Sequence, residues 1–161
     1  VVFEQQGYFL AVDATHAAEA TITHDTSAKA MEVSLPAGTS QHCLADAGLY
    51  TLVPSGCFKF LQKSYAWSTA DAKVVKLVAT STQMVGTVKV KGTSKAQAIK
   101  VSVVKEGSDD PPTLVEATPL KKDPTTLTYS LWVNFGDRLL VTPLAPDLLF
   151  YPPSAPALVP Q

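Results

Sequence analysis

The stretch that decides the fold is LADAGLYTLVPSGCFKF, residues 44–60. It carries two glycines, a proline, a cysteine, a tyrosine and two phenylalanines, a mixture that suits either an active site or a structural corner. Covalent chemistry needs a nucleophile, a base and a group that orients the base. Cys57 with His42 is the one pair here that could supply the first two. No known cysteine-enzyme signature surrounds Cys57. A zinc site fares no better: His16, His24, His42, Cys43 and Cys57 show neither CxxC nor HxxxH spacing. His42 and Cys43 are adjacent, so on a strand they point to opposite faces. The architectural reading explains more of the stretch. A turn at Gly48 leads into an apolar strand, LYTLV, ended by Pro54, and a short loop returns with aromatics. On that reading Tyr50, Pro54 and Phe60 are structural anchors.

Outward from this corner the chain reads as strands. ATITHD places Ala20, Ile22 and His24 on one face, and AMEVSL places Met31, Val33 and Leu35 together. That is the period of two of a half-buried strand. VVKLVATS (74–81), GTVKVKG (86–92) and AIKVSVVKEG (98–107) continue the pattern, the last through Ile99, Val101 and Val103. TLTYSLWVNFGDRLLVTPL supplies two more strands with a turn near Asn134–Asp137. Turn residues punctuate the chain as they do in β-sandwiches. Helical signals are confined to possible single turns near Ala14–Ala18 and in SYAWSTADAK (64–73); no apolar stripe of helical period is sustained. GSDDPPTLVEATPLKKDPTT (107–126), dense in proline and charge, reads as a long loop.

The corner has an echo. Gly48–Pro54 running on to Phe58 and Phe60 is matched by Gly136–Pro143 running on to Phe150. Two such units imply two small β-sandwich domains, residues 1–83 and 84–161, with no Pro- or Gly/Ser-rich spacer between them. In the second unit Phe150 and Tyr151 are the matching anchors, Phe150 closing the end of the sandwich from the post-proline loop.

Composition narrows the function. The chain has 161 residues, net charge −1, 17% charged and 46% hydrophobic residues, a folded composition without the basic excess that nucleic acid or anionic lipid would ask for. It opens on Val1 with no leader-like pattern, which reads as a piece of a longer protein, and no apolar run reaches the length of a membrane span. Asp109 and Asp110 lack the alternating oxygen ligands of a calcium loop, and no glycine-rich phosphate loop follows a strand. No cofactor or metal is implied. The single asparagine, Asn134, is not in a glycosylation sequon. Trp67 and Trp132, with Tyr151, are candidate stacking platforms for a carbohydrate or peptide. The residues alone leave Cys43 and Cys57 open between a disulfide across the ends of neighbouring strands and two buried thiols.

The order of several motifs is similar to the nodal modulator (NOMO) family, a middle stretch of its luminal region. They are Phe3-x-Gln5-x-Gly7-Tyr8, His16-Ala17, Cys43-Leu44 before Gly48-x-Tyr50, Pro54-x-x-Cys57-x-x-Phe60, Gly86-Thr87, Thr142-Pro143 and Asp147-Leu-Leu-Phe-Tyr-Pro-Pro-Ser154. Vertebrate members have a longer charged insertion where this chain has residues 107–126, which points to an invertebrate relative. The resemblance implies prealbumin-like or immunoglobulin-like sandwiches and no catalysis. It implies a place on the luminal side of the endoplasmic reticulum membrane. The implied partners are nicalin and a small multipass membrane protein, in a complex beside the Sec translocon that assists multipass membrane-protein biogenesis. A homodimeric parent is compatible with it. The oxidising lumen favours a Cys43–Cys57 disulfide. The alternative function is a carbohydrate- or peptide-binding module.

Overall fold

The computed structural model describes residues 1–27, 29–71, 73–91 and 99–160. Ala72, Gly92 and Ala98, which fall in three of the segments read above, lie outside the described residues. The chain divides into two compact units, Val1–Ser81 and Thr82–Gln161. The architecture is all-β, with no helix among the described residues.

The first unit contains β1 (Tyr8–Ala14), β2 (Ala18–His24), β3 (Ala30–Leu35), β4 (Gly38–Leu44), β5 (Leu49–Ser55), β6 (Phe58–Phe60), β7 (Tyr65–Ser68) and β8 (Val75–Leu77). All but β6 form one sheet of order β4-β1-β8 and another of order β3-β2-β5-β7. The inward residues are those the alternation selects: Leu10 and Val12 on β1, Ala20 and Ile22 on β2, Leu52 on β5. They meet Tyr65, Trp67 and Leu77 in one core. Removing these side chains from water is the main favourable contribution to folding. On β3 the apolar face tapers from buried Leu35 through half-buried Val33 to exposed Met31.

β9 (Ala79–Lys89) contains the division between the units. The second unit adds β10 (Lys100–Lys105), β11 (Thr113–Glu116), β12 (Thr118–Leu120), β13 (Asp123–Asn134), β14 (Arg138–Leu144) and β15 (Ala155–Leu158). One sheet has the order β11-β10-β14-β15, and in the other β13 lies between β12 and β9. Its core is built from Ile99 just before β10, Val101 and Val103 of β10, Leu127 and Val133 of β13, and Leu139 and Val141 of β14. The β13–β14 turn falls at Asn134–Asp137, as its sequence indicates, and Asp137 N donates to Asn134 O at 3.2 Å.

Three expectations are corrected. Residues 107–126 are not one long loop: β11, β12 and the start of β13 lie within them. β11 pairs antiparallel with β10, Val115 opposite Val101, and β12 pairs with β13. Both are edge strands of mostly exposed residues, held by backbone bonds, so their side chains show no alternation; Pro119 is tolerated on an edge. The turn expected near Ala14–Ala18 does not form, because Ala14 and Ala18 end and begin strands; in the other segment Tyr65–Ser68 is strand β7, and a single turn follows it, Asp71 N donating to Ser68 O at 3.1 Å. Cys43 and Cys57 are not bridged, and both are exposed. Cys43 lies on β4, which pairs with β1, whereas Cys57 follows β5, which pairs with β2 and β7 in the other sheet. The two cysteines are therefore not at the ends of a hydrogen-bonded strand pair.

Candidate functional site

The 44–60 stretch is organised around Tyr50. Tyr50 enters the core at the start of β5, and its hydroxyl donates to the carbonyl of Asp46 at 2.8 Å. A tyrosine reaching back a few residues to the main chain is the corner device of immunoglobulin-like sandwiches. Burial pushes the Tyr50 phenol above its ordinary value; the bond to Asp46 O acts the other way, and the charges of Asp46 and Asp25 reinforce the rise.

The same corner holds a histidine that sequence reasoning weighed only as a metal ligand. The His24 side chain is 9% exposed. Its Nδ1 accepts from the amides of Thr26 at 3.4 Å and Ser27 at 3.3 Å, and lies 3.0 Å from Thr26 Oγ1. Its Nε2 donates to Ala47 O at 3.1 Å, which fixes the tautomer. The ring meets Tyr50 edge-on with centroids 4.7 Å apart. Gly48 has φ of 148°, and a Cβ there would strike His24 Nε2. Only glycine lets the imidazole reach the corner. Thr69 closes the far side, where Gly48 N donates to its Oγ1 at 3.0 Å. The signal was in the sequence: Asp46-x-Gly48-x-Tyr50 is a corner spacing, and His24 sits on the inward face of ATITHD.

The candidate chemical pair does not assemble. His42 lies on β4 with Nε2 3.1 Å from Ser40 Oγ, while Cys57 sits in the turn after β5 of the other sheet. His16 stacks on Phe58 with centroids 4.6 Å apart. Among the described residues no group of three His, Cys, Asp or Glu side chains could hold a metal.

The anchors fare unequally. Tyr50 is buried, Phe60 is half-buried against the first core, and Pro54 is half-buried on β5 opposite Ala20. Phe150 is half-buried against the second core. Tyr151 is not an anchor: it is 99% exposed, because the run 148–151 alternates, turning Leu148 and Phe150 inward and Leu149 and Tyr151 outward. The stacking platforms do not form one patch either. Trp67 is 5% exposed and donates its indole N–H to Lys73 O at 2.8 Å, so it is core. Trp132 is 41% exposed but does not line the depression that Tyr151 borders.

That depression, of about 390 Å³, lies in the second unit between Lys89–Lys91 and Leu148–Tyr151. A smaller one of about 230 Å³ adjoins it, sharing Lys89, Phe150 and Tyr151 and reaching Tyr129, whose phenol burial pushes above its ordinary value. The Tyr129 ring covers Gly86 of the neighbouring strand so closely that no Cβ fits there. In the first unit a depression of about 450 Å³ is lined by Tyr8, Phe9, Cys43 and Leu44.

A family comparison now becomes decisive, since the first unit is a sandwich with an immunoglobulin-type corner. Residues 9–81 match the NOMO Ig-like domain. The match spans nearly all of the first unit, which is a NOMO Ig-like domain. Human relatives described as "BOS complex subunit NOMO3" and "BOS complex subunit NOMO1" are each 25% identical to it over 206 residues, covering 99% of this chain and 16% of their own length. Mouse "BOS complex subunit NOMO1" is 25% identical over 205 residues, covering 99% of the chain and 17% of its own length. The chain thus spans about a sixth of these relatives. The aligned length exceeds the 161 residues here, so the relatives carry additional residues within the matching region. Among solved structures, a putative adhesin from Bacteroides ovatus aligns over 95% of this chain and 82% of its own, with 7% identity and a TM-score of 0.38. A leucine-rich repeat protein from Bacteroides thetaiotaomicron covers 86% of this chain and 22% of its own, with 11% identity and a TM-score of 0.29.

Proposed function

We propose that this NOMO segment is a non-catalytic scaffold module of a BOS-type membrane complex, on the luminal side of the endoplasmic reticulum membrane. In this reading the parent protein joins nicalin and a small multipass membrane protein beside the translocon and assists multipass membrane-protein biogenesis. The observation that carries the reading is the match to BOS complex subunits along 99% of the chain. The geometry supports it: Tyr50, the histidines and Trp67 are engaged in corners, stacks and core contacts. The mechanism is positional. Packed β-modules hold partner-binding surfaces at fixed places along a long chain, as in other repeat arrays. Fold alone does not assign function, so the family match does most of the work.

The test is affinity purification of the full-length tagged parent from native membranes, followed by crosslinking mass spectrometry, with protease protection in sealed microsomes. The reading expects nicalin among the recovered proteins, crosslinks to these residues, and protection of the segment until detergent is added. Recovery without membrane-complex partners, or cleavage of the segment in sealed microsomes, would refute it.

A further inference from the structure

We propose that the trough between Lys89–Lys91 and Leu148–Tyr151 is a docking groove for an extended peptide segment that alternates acidic and apolar side chains. This goes beyond the scaffold reading by naming the kind of partner segment that one face of the second unit holds. Three observations carry it.

The first is the alternation of the run 148–151. It lies outside every strand, yet it has a strand's two-faced character. Leu148 and Phe150 are tied to the core, while Leu149 at 103% and Tyr151 at 99% exposure stand in water. A large aliphatic and a large aromatic side chain side by side in solvent form an apolar surface that gains by being covered.

The second is charge. Lys89 and Lys91 both line the opposite wall, and both are exposed. Neither makes an ion pair among the described residues. The charge of Asp123 reaches Lys89, but both Asp123 oxygens accept hydrogen bonds, from Thr125 and Thr126 at 2.6 and 2.7 Å. Those bonds, the one from Thr125 foremost, hold its carboxyl below the usual range. Asp123 stays charged, and two lysines against that one carboxylate leave the wall net cationic, which favours carboxylates.

The third is shape. A trough of about 390 Å³ shares Lys89, Phe150 and Tyr151 with the smaller depression over Tyr129, and Phe150 and Val90 back it against the core. An extended chain fits such a trough with alternate residues down onto Leu149 and Tyr151 and the others across to the lysines.

The experiment titrates the isotope-labelled 161-residue chain with a short blocked peptide alternating Glu and Leu, and with its Lys-for-Glu counterpart. Amide shifts and fluorescence anisotropy are the readouts. The acidic peptide is expected to shift amides of residues 87–91 and 148–151 and to weaken as salt rises. The pair Lys89→Glu and Lys91→Glu should weaken it about tenfold or more, as reversal of two rim charges does. Leu149→Ser with Tyr151→Ser should weaken it as well; all four side chains are exposed, and unchanged melting certifies the fold. Equal binding of the basic peptide, shifts clustered elsewhere, no shift at millimolar peptide, or indifference to the lysine reversal would overturn the proposal. So would self-association of the chain that the same variants abolish, which would put a second copy in the trough. Failure here with partners still recovered from native membranes removes only the groove. Loss of those partners with peptide binding intact removes only the scaffold reading.

Discussion

Gly48–Pro54 and Gly136–Pro143 have the same outline, a turn glycine, an apolar strand and a proline, yet different interactions hold them. In the first unit the strand is β5, and its entry is secured by hydrogen bonds, Tyr50 Oη on Asp46 O and His24 between Ala47 O and two amides, with Asp25 Oδ1 3.4 Å from His24 Nε2. In the second the strand is β14, and the residue two after the glycine is exposed Arg138 instead of a buried tyrosine. There Asp137 does the work. Its Oδ2 accepts from Asn134 N at 3.2 Å and its Oδ1 meets Lys105 Nζ at 2.6 Å, so the turn is fastened to the end of β10 by charge. One topology is thus stabilised by side-chain hydrogen bonds to the main chain in one place and by an ion pair in the other. The first device withstands salt, and the second does not.

The comparison can be broken most forcefully in the core behind the first corner. Trp67→Ala removes a buried indole whose ring lies 6.1 Å from that of Tyr50 and should cost about 3–5 kcal/mol in urea unfolding. A loss of only a few tenths would mean the corner does not depend on that core. His24→Ala comes next. It leaves Ala47 O and the amides of Thr26 and Ser27 without their partner and should cost about 2–3 kcal/mol, independent of salt. Phe150→Ala tests the echo and should cost about 1–3 kcal/mol, because the ring is half-buried. Two milder variants sharpen the contrast. Asp137→Ala should cost about 1–2 kcal/mol in dilute buffer and visibly less in molar salt, whereas Tyr50→Phe should cost about 1 kcal/mol in both. Equal salt responses would erase the distinction.

Tyr50 and Tyr129 also make an alkaline prediction. Burial raises both phenols in the folded chain above the ordinary value of 10.0. Their contribution is therefore fully present below pH 10 and is lost as pH rises through the folded values, because the unfolded chain releases those protons first. The double variant Tyr50→Phe, Tyr129→Phe should flatten the fall in melting temperature above that pH.

Much of the architecture was readable because inward faces repeat every second residue: Ala20 and Ile22, then Ile99, Val101 and Val103, alternate as half-buried strands must. What escaped reading is held by the backbone. β11 and β12 are exposed edge strands in which proline and charge do not prevent pairing, so side-chain pattern carries no sign of them. The Gly48–Tyr50 spacing marked the corner, but His24 as its second support needed the fold, since the ring acts on Ala47, 23 residues away. The cysteines misled for the same reason. Spacing along the chain suggested neighbouring strand ends, and the sheets place β4 and β5 apart. The terminal aromatics divided between roles because only Phe150 of the pair Phe150–Tyr151 falls on the inward phase of its run.

The central claim is that residues 44–60 act by architecture and not by chemistry. Its most direct test is the full-length parent carrying His42→Gln, Cys43→Ser and Cys57→Ser together, compared in native membranes with the parent carrying His24→Ala. Recovery of membrane-complex partners is the readout, and thermal melting of the matching 161-residue chains is the control. The account predicts unchanged melting and full partner recovery for the triple variant, with lowered melting and reduced recovery for His24→Ala. A triple variant that melts like the unmodified chain yet fails to assemble its complex would contradict it.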